Sequence, residues 1–84
     1  MADRPTALIV DRDTKNLALC RCFFESQGYT VYEATDAETA IMLAHGGYRM
    51  NVALIALDLG EGITGQELRD SLANLGMSEL TIMV

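Results

Sequence analysis

Short apolar runs alternate with amphipathic stretches along the chain. The apolar runs cover residues 7–10, 29–34, 52–57 and 80–84 and predict four strands, the second of them less buried than the first. The third run is the most hydrophobic, which is typical of a central parallel strand covered on both faces. Between the runs, apolar residues recur at helical spacing and predict three helices. Strands that alternate with helices indicate an α/β layer with a parallel sheet.

Capping residues and glycines mark the ends of the predicted helices. The first helix begins at Asp13 or Thr14 and ends at Gly28. The second and third each begin at a Thr-x-x-Glu capping box, in which the hydroxyl and the carboxylate accept hydrogen bonds from each other's backbone N–H groups. These boxes are Thr35 with Glu38 and Thr64 with Glu67. The residues expected to face the core are Leu17, Cys20, Phe23 and Phe24 in the first helix, Ala37, Ala40, Ile41 and Ala44 in the second, and Leu68, Leu72 and Leu75 in the third.

Composition narrows the function classes. The 84 residues allow one domain, taken as 1–84, and a hydrophobic content of 50% excludes a disordered acidic tail. A net charge of −6 without clustered basic residues argues against nucleic-acid binding by this domain. No apolar run approaches the roughly 18 residues of a membrane span, and the N-terminus lacks the features of a signal peptide. We therefore expect no membrane association and a cytoplasmic location, where Cys20 and Cys22 stay reduced.

Acidic residues follow two of the predicted strands. Asp11 and Asp13 come after the first strand, and Asp58 comes after the third. If these strands are neighbours, the three carboxylates converge at the carboxyl edge of the sheet, where ligands bind in open parallel sheets. A divalent cation such as Mg²⁺ would relieve their repulsion and leave one carboxylate to attack a phosphoryl group. The alternative is that these aspartates only form turns and helix caps, a role for which Asp13 is well placed.

Five segments resemble the receiver domains of two-component response regulators, of the chemotaxis-regulator type. They occur in the family's order over essentially the whole chain, at residues 8–13, 27–31, 34–37, 54–59 and 65–68. The resemblance implies a flavodoxin-like, doubly wound parallel sheet with strand order 2-1-3-4-5. The chain matches its βαβαβαβ part, without the last strand and the last two helices.

The resemblance also implies a function in a phosphorelay. Asp58 matches the aspartate that accepts a phosphoryl group from a histidine kinase or a phosphotransfer protein. Asp11 and the backbone carbonyl of Gly60 match positions that hold Mg²⁺, and Asp13 is a further candidate ligand. The family implies a signalling phosphoprotein with at most self-catalysed phosphotransfer, and no other enzymatic activity.

Three departures from the family pattern bear on that function. Arg12 stands where the second member of the acidic pair is expected, and a guanidinium cannot bind Mg²⁺. It could pair with Asp58 or extend into solvent, and we expect weakened or absent Mg²⁺ binding. The loop after Asp58 differs from the family, and its Glu61 either adds negative charge near the site or is a solvated carboxylate. The family's switch hydroxyl and its lysine match no residue up to Val84.

The last apolar run is expected to form an exposed edge of the sheet, carrying Leu80, Ile82 and Val84. Exposed edges recruit further strands, so we expect either a homodimer joined through the fourth strands or a fragment of a longer chain. Arg12 and the altered loop after Asp58 favour an alternative function, a degenerate receiver that acts as a phosphorylation-independent interaction or dimerisation module.

Overall fold

The protein has the alternating architecture that the sequence predicts. A computed structural model describes residues 4–46, 50–60, 62–74 and 78–83, and the side chains of residues 78–80 are not described. The elements in chain order are β1 (Thr6–Val10), α1 (Thr14–Ser26), β2 (Thr30–Ala34), α2 (Ala37–His45), β3 (Met50–Ile55), α3 (Gly65–Asn74) and β4 (Ser78–Met83).

The four strands form one parallel sheet in the order β2-β1-β3-β4. The chain steps from β1 outward to β2 and then returns past β1 to β3, so the winding direction reverses between β1 and β3. Val10 at the end of β1 is level with Ile55 at the end of β3, and the Ala56 N–H extends the pairing by donating to the Val10 carbonyl at 2.9 Å. The predicted flavodoxin-like order is thereby confirmed over these four strands.

The main core lies between the sheet and the helices α2 and α3, which contact each other. Side chains of β1 and β3 that point to this side are fully buried, among them Leu8 and Ile55. They pack against Leu68 and Leu72 of α3, both of which are completely inaccessible to solvent. The predicted apolar stripes of α2 and α3 are confirmed, apart from Leu75, which lies outside the described residues.

Helix α1 packs on β1 and β2, away from this core. Its Leu17 is buried, and Arg21 donates a hydrogen bond to Glu33 of β2 at 2.8 Å, which raises the pKa of Arg21. The prediction that Phe23 faces the core is wrong, because its side chain is 60% exposed. Leu17 and Phe24 lie seven positions apart on the same side of the helix, whereas Phe23 is turned about 100° from Phe24.

Two further predictions about β3 need correction. The strand ends at Ile55, two residues earlier than predicted, and Leu57 is 52% exposed. Its two faces also differ, since Ala53 and Ile55 are buried whereas Val52 and Leu54 are only half-buried. The reason is that α1 lies over β1 and β2 and leaves the adjoining part of that face less covered.

One of the two predicted capping boxes is present. The Thr64 hydroxyl accepts a hydrogen bond from the Glu67 N–H, and the Glu67 carboxylate accepts one from the Thr64 N–H, both at 3.1 Å. The box at Thr35 is wrong, because α2 begins one residue later with Asp36 as its N-cap. Asp36 Oδ1 accepts a hydrogen bond from the Thr39 N–H at 2.7 Å, a role that a carboxylate performs as well as a hydroxyl.

Candidate functional site

The carboxyl ends of β1 and β3 bring together side chains that are 46 residues apart in the sequence. Arg12 follows β1 and Asp58 follows β3, and the parallel pairing of these strands puts both at the same edge of the sheet. Arg12 Nη2 donates a hydrogen bond to Asp58 Oδ2 at 2.9 Å. Of the two orientations that the sequence left open for Arg12, the structure has the one that pairs with Asp58.

The second oxygen of Asp58 also has a donor. Asp58 Oδ1 accepts a hydrogen bond from the Gly60 N–H at 2.9 Å, which closes a tight turn after β3. Gly60 has a φ of +85°, a conformation that favours glycine. Arg12 lies directly over it, because a Cβ on Gly60 would stand 3.1 Å from Arg12 Nη1. The turn and the guanidinium therefore hold the Asp58 carboxylate from two sides.

Asp11 and Asp13 have local structural partners. Asp11 Oδ1 accepts a hydrogen bond from the Asp13 N–H at 2.9 Å, and Asp13 Oδ1 accepts one from the Lys15 N–H at the same distance. Asp13 is the N-cap of α1. The interpretation that these aspartates form turns and caps thus applies to both, and to Asp58 through its bond with Gly60.

This arrangement does not fit a divalent cation. Within the described ranges, no three acidic, histidine or cysteine side chains are grouped closely enough to hold a metal ion. A positively charged guanidinium instead lies against Asp58. Guanidinium groups donate hydrogen bonds only and stay protonated, so Arg12 repels a cation where the resemblance implies one.

The Arg12–Asp58 pair is open to solvent. The side chains are 58% and 74% exposed, respectively. Ion pairs with this exposure contribute about 0.2–1 kcal/mol, because water screens the attraction and two flexible side chains must be ordered. The Asp58 carboxylate is therefore accessible from solvent although it is paired.

A thiol lies on the α1 side of the site. Burial raises the pKa of the Cys20 thiol, and the negative charge of Asp11 raises it further. Cys20 therefore stays protonated at neutral pH and is a poor nucleophile. Glu61, the other predicted modulating residue, lies outside the described residues.

A shallow pocket of about 160 Å³ lies beside the site and was not predicted from the sequence. It is lined by Asp36, Ala37 and Glu38 at the start of α2 and by Leu59, Gly62 and Ile63 after β3. These two segments meet only because the chain crosses from β2 to β3, so no local sequence signal marks the pocket.

No family model matches the chain, and no curated protein is significantly similar to it in sequence. In the part of the chain that the structure describes, no helix combines the length and apolar character of a membrane span.

Several solved structures with a similar fold are response regulators or their receiver domains. The N-terminal domain of a response regulator/sensory box/GGDEF protein from Carboxydothermus hydrogenoformans is 26% identical with a TM-score of 0.84, and the match covers 93% of this chain and 62% of that one. The signal receiver domain of a modulated diguanylate cyclase from Desulfovibrio desulfuricans is 28% identical with a TM-score of 0.82, covering 95% and 65%. A response regulator from Burkholderia pseudomallei is 22% identical with a TM-score of 0.82, covering 94% and 46%. The chain therefore spans less than two thirds of each of these three structures.

The fold and the position of the site define a doubly wound α/β domain. Its Arg12–Asp58 pair lies at the carboxyl ends of β1 and β3, where the winding direction reverses. Among proteins of that class, the chain is similar to the receiver domains of response regulators, and its four strands and three helices match part of their flavodoxin-like fold. The resemblance to receiver domains that the sequence indicates is confirmed at the level of the fold.

Proposed function

We propose that the protein is a receiver-type signalling domain in which Asp58 accepts a phosphoryl group from a histidine kinase or a histidine phosphotransfer protein. The observation that carries the proposal is an accessible carboxylate at the switch point of the sheet, with a guanidinium 2.9 Å away. The similar protein from Burkholderia pseudomallei, which contains a phosphorylated aspartic acid, supports the same chemistry.

The reaction requires one carboxylate and no proton transfer at Asp58. A carboxylate oxygen of Asp58 attacks phosphorus, the bond between phosphorus and the donor breaks, and its electron pair leaves with the donor. Arg12 offers positive charge to the oxygens of the transferring group, and the Gly60 N–H orients the carboxylate. In this reaction the domain is itself the acceptor of the phosphoryl group. We therefore expect no catalytic activity beyond self-phosphorylation.

Incubation with acetyl phosphate followed by intact-mass spectrometry tests the proposal. We expect a mass increase of one phosphoryl group, which disappears in Asp58→Asn. Asp70→Asn is the matched control, because Asp70 is another exposed carboxylate beside an arginine, with Arg69 Nη2 at 3.4 Å. A mass increase that persists in Asp58→Asn, or none in the unmodified protein, contradicts the proposal.

A second candidate function is a phosphorylation-independent interaction module. The Arg12–Asp58 pair favours it, because Asp58 already has a positive partner without any modification. If this function is correct, Asp58→Asn still binds the partner protein in a pull-down. If the protein signals by phosphorylation instead, Asp58→Asn no longer changes its binding when a phosphoryl donor is added. We assign either role to the cytoplasm, where the exposed Cys22 thiol stays reduced.

A further inference from the structure

Arg12, two residues after the end of β1, lies against two parts of the candidate site at once. Its Nη2 contacts Asp58, and its Nη1 and Cδ lie 3.1 and 3.7 Å from the position that a Cβ of Gly60 would take. The guanidinium therefore covers the turn that holds Asp58. A glycine at position 60 leaves the space that the arginine fills.

Among the residues that the structure describes, the other polar groups offer no competing cation-binding set. The carboxylates of Asp11 and Asp13 each accept a backbone N–H, and the described residues contain no cluster of three potential metal ligands. Binding a metal next to Asp58 would require the displacement of a permanent positive charge. The ion pair and the metal are thus alternatives at this site.

A guanidinium suits the charge that phosphorylation would create. A phosphoryl group carries a charge of about −1.5 to −2 at neutral pH, and arginine binds its oxygens through two parallel N–H donors. The Arg12 guanidinium already lies 2.9 Å from Asp58 Oδ2, close to where a phosphoryl group bonded to that carboxylate would place its oxygens.

We infer that Arg12 takes the place of a divalent cation at this site, so that phosphoryl transfer to Asp58 does not depend on Mg²⁺. The inference deepens the proposed function and rests on it for the transfer step. Its other part, exclusion of the metal by Arg12, is independent of phosphorylation. Arg12 is the specificity-determining residue, because it determines whether a guanidinium or a metal ion supplies the positive charge beside Asp58.

The first test compares acetyl phosphate labelling in Mg²⁺ and in EDTA at matched ionic strength. We expect the unmodified protein to be labelled at the same rate in both, and Arg12→Gln to be slowed about 100-fold in both, the usual effect of losing one charge-stabilising donor. Arg12→Asp should be slow in EDTA and should recover with Mg²⁺. Arg69→Gln removes an exposed arginine paired with Asp70 on α3 and should behave like the unmodified protein.

The second test needs no phosphoryl donor. Thermal unfolding is followed with Mg²⁺ or with NaCl of equal ionic strength, because the net charge of −6 makes stability sensitive to salt alone. We expect Mg²⁺ to leave the unfolding temperature of the unmodified protein unchanged and to raise that of Arg12→Asp. A specific increase in the unmodified protein would overturn the inference.

The two tests separate failure of the inference from failure of the proposed function. Labelling of the unmodified protein that requires Mg²⁺ overturns the inference and leaves Asp58 as phosphoacceptor. No labelling of the unmodified protein, with Mg²⁺ stabilising only Arg12→Asp, overturns the proposed function and supports metal exclusion by Arg12. Circular dichroism of each variant verifies that the fold is retained.

Discussion

At the scale of single residues, the site depends on one arginine and one glycine. Arg12 supplies the positive partner of Asp58, and Gly60 supplies both the N–H that binds Asp58 and the space beneath the guanidinium. Neither contact is strong by itself, since the ion pair is exposed to solvent. Together they give the Asp58 carboxylate a defined position.

A pair of glycine substitutions separates backbone strain from the contact with Arg12. Gly60 and Gly62 have φ values of +85° and +98°, but only a Cβ at Gly60 meets Arg12, at 3.1 Å. We expect Gly62→Ala to lower the free energy of unfolding by about 1 kcal/mol through strain alone. Gly60→Ala should cost more and should also slow labelling of Asp58, because the guanidinium is displaced.

Urea unfolding and the acetyl phosphate assay measure the two effects. Gly62→Ala is the matched control, since it has the same backbone requirement without a neighbour within 4 Å. Equal losses of stability and equal labelling rates in the two variants would show that the Arg12 contact is unimportant.

At the scale of the elements, helix ends decide how the loops near the site are placed. The capping box of Thr64 and Glu67 starts α3. Gly65 allows that start to approach the backbone of residues 56 and 57, directly after β3. A Cβ on Gly65 would overlap the Ala56 carbonyl, which belongs to the backbone two residues before Asp58. The closeness of α3 to the site thus depends on a residue without a side chain.

The N-cap of α2 should make stability depend on pH. The hydrogen bond from the Thr39 N–H, followed by one involving the Thr39 side chain, lowers the pKa of Asp36. A lowered pKa in the folded state means that the stabilisation is present above the unfolded pKa, about 4, and is lost as the pH falls through the folded value. Asp36→Asn keeps a good N-cap and should abolish this contribution.

Urea unfolding between neutral pH and the acid range tests this expectation. Stability of Asp36→Asn should fall less steeply in acid than that of the unmodified protein, with little difference at neutral pH. Asp70→Asn also removes one exposed carboxylate from a helix but leaves the cap intact, so the difference between the two variants isolates the cap. Identical acid profiles for Asp36→Asn and the unmodified protein would contradict the role of Asp36.

At the scale of the whole molecule, the two faces of the sheet are unequally covered. Helices α2 and α3 bury one face, whereas α1 covers β1 and β2 and leaves Val52 and Leu54 half-buried on the other. Strand β4 lies at an edge of the sheet, and its Ile82 is 40% exposed. Val84 and the side chain of Leu80, also predicted to form this edge, lie outside the described part of the chain.

Because β4 lies at an edge of the sheet, a homodimer joined through the fourth strands remains a prediction. We expect size-exclusion chromatography with light scattering to give about twice the chain mass of 9.2 kDa. Ile82→Lys should shift the protein to the monomer, because a lysine on an edge strand opposes further pairing. Met42→Lys places the same charge on α2, where Met42 is 72% exposed, and should leave the dimer intact. A monomeric unmodified protein at all concentrations would contradict the prediction.

Much of the fold could be predicted because its signals are local. Apolar runs, the Thr64 box and the glycines around the helices predicted the number, kind and order of the elements. The errors arose where local signals compete. Thr35 and Asp36 are both good N-caps, so only packing determines which of them caps the helix. Phe23 and Phe24 are equally apolar, and the rotation of the helix turns Phe23 about 100° away from the side that Leu17 and Phe24 share.

The sequence by itself determined the alternation of strands and helices and the acidic or basic character of the residues that follow β1 and β3. It could not determine whether Arg12 points toward Asp58 or into solvent, because both orientations satisfy every local rule. That choice came from the tertiary structure: the β1–β3 pairing brings residues 46 positions apart to one edge, and Gly60 leaves room for the guanidinium. Which charged residues meet beyond the ends of two strands depends on the register of those strands. The register is set by how the apolar faces of the sheet pack, which is a property of the folded protein.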